Sequence, residues 1–179
     1  KGEEMRHSVE SMTGRRSKWS GKAIVNNALC EKEQCAGEKL WNCDILLRDD
    51  VPDHTVIHEL LHSCSVSYYS PAEYVRHGKI EEGSVELLSR EIAHSMRLPV
   101  ELTAYNNEVT VLQSLNQGLG LYKTDLDFAL DLFNQPLPNR FNWLMEKVNT
   151  GIMKRADVTV NDMQELADFM AILEGGYDG

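Results

Sequence analysis

The alternation of apolar and polar residues is clearest between Lys39 and Arg48. Trp41, Cys43, Ile45 and Leu47 share one face there, which predicts a β-strand. A shorter strand is expected over Lys22–Asn26, followed by a polar loop from Cys30 to Glu38. Asp49 to Asp53 breaks the strand pattern, and the period then changes. Val56, Leu60, Leu61 and Cys64 recur at helical spacing, so a helix is expected from about Pro52 to Val66. Asp50 or Asp53 would cap it, with Pro52 in its first turn. Ser67 to Gly78 reads as a Tyr-rich connection with room for a short helix. A second long helix is expected over about Ile80–Arg97, closed by Pro99. Further helices are expected over about 105–116, 125–134, 139–150 and 161–174, separated by Gly118, Gly120, Pro136, Pro138 and Gly151.

Strands in the first third and helices thereafter predict an α+β fold, with a small N-terminal sheet packed on a mainly helical body. Residues 1–21, rich in Ser, Gly and Arg, read as a flexible polar lead-in. Residues 22–179 are enough for one domain.

Charge narrows the partners. The formal net charge is −10, which argues against a nucleic-acid-binding surface. The one basic cluster, Arg15 to Lys18, reads as a solvated loop. No apolar run approaches the roughly 18–20 residues that span a bilayer. Protein or peptide partners are therefore expected, rather than nucleic acid or membrane. Cys30, Cys35, Cys43 and Cys64 match no common zinc-ribbon spacing. Lys1 to Glu10 holds no apolar signal core. Reduced thiols and a cytoplasmic location are the default expectation, with a Cys30–Cys35 disulfide left open.

The candidate chemistry lies on the helix after the best strand, at His58-Glu59-Leu60-Leu61-His62. Residues four apart on an α-helix are about 6 Å apart along the axis and about 40° around it. Two imidazoles so placed can converge on one zinc ion. Glu59 would then stand beside the ion and act as a base toward a water there. His54, His58 and His62 form a ladder, but His54 and His62 would be about 12 Å apart along the axis, too far for one site. His54 is therefore expected as a surface residue of the first turn. Cys64, rotated about 200° from His62, is expected in the core.

A catalytic zinc usually takes three protein ligands. After His62 the metzincin continuation is absent, and the next carboxylates are Glu81, Glu82 and Glu86. Here the chain resembles the gluzincins, metallopeptidases that carry HExxH on one helix and a Glu ligand on a second. The resemblance covers roughly residues 39–97 and implies a zincin-like fold. By it, Glu82 is the third ligand and Glu86 orients a ligand imidazole. Glu82 and Glu86 share a helix face, and Gly83 leaves room for a close helix approach. Glu81 and, more weakly, His77 are rival ligands. Trp41–Arg48, His58–Tyr69 and Ile80–Arg90 also resemble metallopeptidase-like domains of bacteriophage head or minor capsid proteins. That resemblance would allow a virion-associated location.

The expected activity is zinc-dependent endopeptidase chemistry, with Glu59 moving the proton from the attacking water to the leaving amine. Gluzincins often add a Tyr or His oxyanion donor near the third ligand. Tyr74 is the expected residue, with Tyr69, His77 and Tyr105 as alternatives and Arg76 available for substrate. The strand Lys39–Arg48 would be the edge on which an extended substrate lies. The competing reading is a catalytically inactive domain, structural or interaction-bearing, stabilised by zinc.

Overall fold

The structure is a computed structural model and describes residues 1–177. It is α+β and mostly helical, with eight helices and one three-stranded sheet among the described residues. None of these helices is long and apolar enough to cross a membrane. The chain forms two compact units. One comprises residues 1–65 with 88–102, the other residues 66–87 with 103–179.

In the first unit, residues 1–21 contain a helix where a flexible lead-in was expected. Helix α1 (Gly2–Thr13) buries Met5, Val9 and Thr13, one residue per turn. It ends at Gly14, whose left-handed backbone (φ 67°) lets its N–H cap the Glu10 carbonyl. So thin an apolar stripe is hidden by the polar residues around it. Trp19 then folds back over Gly2, where a Cβ would stand 2.8 Å from the indole. The Arg6 guanidinium donates to the Trp19 carbonyl.

The sheet has the order β1 (Ala23–Val25), β3 (Ile45–Leu47), β2 (Gly37–Lys39). The pair β1–β3 is parallel and β2–β3 antiparallel, with Lys39 opposite Ile45. All three residues of β3 are buried, as a central strand covered on both faces requires. The expected single strand Lys39–Arg48 is instead a hairpin. Leu40 N–H donates to the Asp44 carbonyl, and the Asn42 side chain accepts from Asp44 N–H, closing the turn. Cys43 sits at φ 70° within that turn, and Trp41 is exposed. Neither belongs to the apolar face expected of them. The loop expected over 30–38 also contains structure: α2 (Asn27–Glu33) is capped by Asn26, whose side chain accepts from Leu29 N–H.

Helix α3 (Asp53–His62) carries the motif and is shorter than expected. Pro52 occupies the N-cap position and no side chain caps the helix; Asp53 pairs with Lys1 at 2.7 Å instead. At the other end the Ser63 hydroxyl donates to the Leu60 carbonyl and meets Ser17 Oγ at 2.6 Å. Ile57, Leu60 and Leu61 are fully buried.

Helix α4 (Pro71–Ser95) merges the expected connection and second helix into one element with a kink. His77 marks the kink, at φ −133° and ψ 16°. The second unit also holds α5 (Asn106–Leu119), α6 (Asp125–Asn134), α7 (Leu137–Met153) and α8 (Val160–Leu173). Helix α6 matches the expected range, and the other three differ by at most three residues at an end. Thr124 caps α6, and Thr159 with Asp162 forms a capping box on α8. Gly83 serves a close approach to α5: a Cβ there would lie 3.0 Å from that of Glu108.

Candidate metal centre

Helix α3 turns His58, Glu59 and His62 inward, and each is no more than 7% exposed. The two imidazoles meet edge-on, with Nε2 3.0 Å from Nε2. Two nitrogens held about 2.0–2.1 Å from one tetrahedral ion lie about 3.3 Å apart. The observed pair is already near that geometry. Glu59 Oε2 accepts from the Lys39 backbone N–H at 2.6 Å, which fixes the carboxylate against the end of β2. Gly37 permits the close packing of strand and helix, since a Cβ there would stand 3.0 Å from Thr55 and 3.4 Å from the Glu59 side chain.

Glu82 lies on the unkinked stretch of α4 after His77, whose last turns, 88–95, belong to the first unit. The ligand atoms of His58, His62 and Glu82 all fall within 4.8 Å of one another, and all three residues are buried. Among the described residues no other set of three His, Cys, Asp or Glu forms such a group. Two imidazole nitrogens and one carboxylate oxygen are a donor set that suits zinc. Tyr74 OH donates to Glu82 Oε1 at 3.1 Å, so the expected Tyr stands at the third carboxylate. Glu86, one turn beyond Glu82, is 4% exposed.

No family model, curated protein or solved structure matches this chain.

The rivals for the third position are placed elsewhere. Glu81 is fully buried and paired with Arg140 Nη1 at 2.7 Å. His77 lies at the kink and outside the group; burial, then the charges of Arg76 and Arg140, push its pKa down. His54 is not a surface residue. It is 4% exposed, with Nε2 3.0 Å from Ser89 Oγ, because α4 brings Ser89 over the first turn of α3. Among the alternatives to Tyr74, Tyr69 is exposed and Tyr105 occupies the N-cap of α5 in a left-handed conformation. Arg76 is exposed.

Cys64 is core, as expected, and burial pushes its thiol up to about 11. Cys30 and Cys35 are free thiols. Burial and then the neighbouring Cys30 push Cys35 up to about 12.

Sequence reasoning missed Arg140. It is fully buried and donates to Glu81, to Ser84 Oγ at 2.8 Å and to the Phe133 carbonyl at 3.1 Å. A signal existed: Arg140 interrupts the buried stripe Leu137, Leu144, Val148, Gly151 of α7, and a cation there needs a buried partner. The Lys39 N–H on Glu59 left no signal, because a backbone donor is the same at every non-proline residue.

Proposed function

We propose that the chain is a zinc-dependent endopeptidase of gluzincin type. The observation that carries this is the convergence of His58, His62 and Glu82 within 4.8 Å beside a buried Glu59 that is not one of the three. A purely structural ion has no need of that fourth group. Zinc, when bound, supplies Lewis acidity toward a water and a scissile carbonyl.

The remaining steps belong to side chains. Glu59 takes the proton of the attacking water and returns it to the leaving amine. Lys39 N–H holds Oε2, so Oε1 is assigned to the proton. Tyr74 has its phenol on Glu82 and is assigned the donor role toward the developing oxyanion, as the residue that can turn from one acceptor to the other. Glu86 is assigned to orient a ligand imidazole through its N–H. The antiparallel edge strand β2, rather than the whole of Lys39–Arg48, is the edge for an extended peptide, since β3 is central. This arrangement supports a zincin-like reading of the fold.

The test is zinc content and peptide hydrolysis for the native chain and for Glu59→Gln. The enzyme reading expects equal zinc and a fall in kcat of at least about 100-fold, the scale of a lost general base. Full zinc with no hydrolysis by either protein would assign the ion a structural role instead.

A further inference from the structure

The kink in α4 is filled from outside the helix. In a regular α-helix the Lys79 N–H would go to the Val75 carbonyl four residues back. Here it goes to the carbonyl of Gly175, at 3.1 Å. Gly175 follows α8 and has a left-handed backbone, φ 78°. Its neighbour Gly176 is pressed against the opened turn. A Cβ on Gly176 would fall 2.0 Å from the Val75 carbonyl oxygen and 2.7 Å from its carbon, so no other residue fits. Tyr177 completes the contact, with its hydroxyl donating to Glu108 Oε1 at 3.0 Å. Its ring lies 6.4 Å from that of Tyr74 and 6.2 Å from that of Tyr105.

Tyr74 lies among close neighbours. Its ring covers Gly78, where a Cβ would be 3.3 Å away. The ring centroids of Tyr68 and Tyr177 lie 6.2 Å and 6.4 Å from its own. On a straight helix, positions 74 and 82 would be about 12 Å apart along the axis and about 80° around it. The phenol of Tyr74 nevertheless meets Glu82. The turn that separates them is the one against which Gly175 and Gly176 lie.

We propose that Gly175–Gly176–Tyr177 is a wedge that keeps α4 kinked at His77 and thereby sets the Tyr74 hydroxyl on Glu82. Gly176 and Tyr177 are then positioning residues for the third ligand. The inference rests on the metal reading of Glu82, but the wedge itself can be observed without metal.

The test uses the full chain in two states. In the metal-free protein, the His77 Cα and Lys79 amide resonances report the open turn. Zinc affinity, measured by competition with a chromophoric chelator, reports the ligand. Gly176→Ala should shift both resonances and weaken zinc binding by about 10-fold or more, the scale of a lost partner to a ligand. Tyr177→Ala, which introduces no clash, should do the same to a smaller degree. Tyr74→Phe should weaken zinc binding while leaving the two resonances as in the native chain. Unchanged resonances in both wedge variants would overturn the wedge. Shifted resonances with native zinc affinity would overturn its role in positioning. Failure of the native chain to bind zinc would instead overturn the metal reading, with the resonances still reporting the wedge.

Discussion

Replacing Arg140 by Met would separate the two neighbouring carboxylates of α4 energetically. Arg140 and Glu81 are both fully buried, 2.7 Å apart, and the guanidinium also serves Ser84 and the carbonyls of Phe133 and Gln135. Burial lowers the Arg140 pKa and the Glu81 charge opposes that shift, so the cation depends on its partner. Met keeps the volume of the aliphatic stem and removes the charge. Glu81 would then be a buried anion without its cation, which costs about 3–5 kcal/mol. At about 2–4 °C per kcal/mol for a chain of this size, Tm should fall by about 6–20 °C. Urea unfolding of the metal-free protein should show a matching fall in midpoint. The pair Arg140→Met with Glu81→Met should recover most of the loss, because a well-packed apolar pair can match a buried ion pair. If the single variant lost less than about 1 kcal/mol, or the double variant were no more stable than the single, the Glu81 charge would not be the source of the cost.

Three further outcomes are expected. Zinc at about 100-fold over its Kd should stabilise the native chain by about 2.7 kcal/mol, a rise of about 5–11 °C in Tm. His62→Ala should abolish that rise, and a zinc-dependent rise persisting in this variant would place the ion elsewhere. Cys64 supplies a pH dependence. Its folded pKa, raised to about 11 from 9.0 by burial, makes its contribution complete below about pH 9 and lost as pH rises toward 11. Native stability in urea should therefore drop by up to about 3 kcal/mol over that window, and Cys64→Ala should flatten the drop. Cys35, pushed up to about 12, should react with a thiol reagent at pH 8 far more slowly than a free cysteine does, and a rate equal to that of free cysteine would contradict its neutral state.

The helices of the second half were legible where their signals are redundant. Helix α6 has a Thr cap, two acids in its first turn and a buried stripe, and its bounds follow from those three together. The elements missed near the N-terminus lack that redundancy. Helix α1 rests on three buried residues and a glycine stop, which composition alone conceals. The strand expected over 39–48 failed for a specific reason. Alternation continues across a turn when the turn residues happen to be Trp41 and Cys43, and only the Asn42 side chain on Asp44 N–H marks the reversal.

At the site, the local pair was legible from helix spacing, whereas Glu82 was legible only through the gluzincin resemblance. The spacing of His58 and His62 fixes their convergence through helix geometry alone. Nothing in that geometry separates Glu81 from Glu82, since adjacent residues differ only by about 100° of helix rotation. What separates them is a cation 59 residues away in sequence. Arg140 takes Glu81, and the next carboxylate along α4 is the one beside the imidazoles. Rotating α4 by one residue would break that pair and also displace the buried Ile80, Val85, Leu87 and Leu88, so the ion pair and the apolar face fix the rotation together. The kink, too, is met by residues distant in sequence. Next to the non-helical His77, the Lys79 N–H donates to the Gly175 carbonyl in the segment after α8. Both devices act on α4 from parts of the second unit distant in sequence, and neither is visible in a window of residues around the motif.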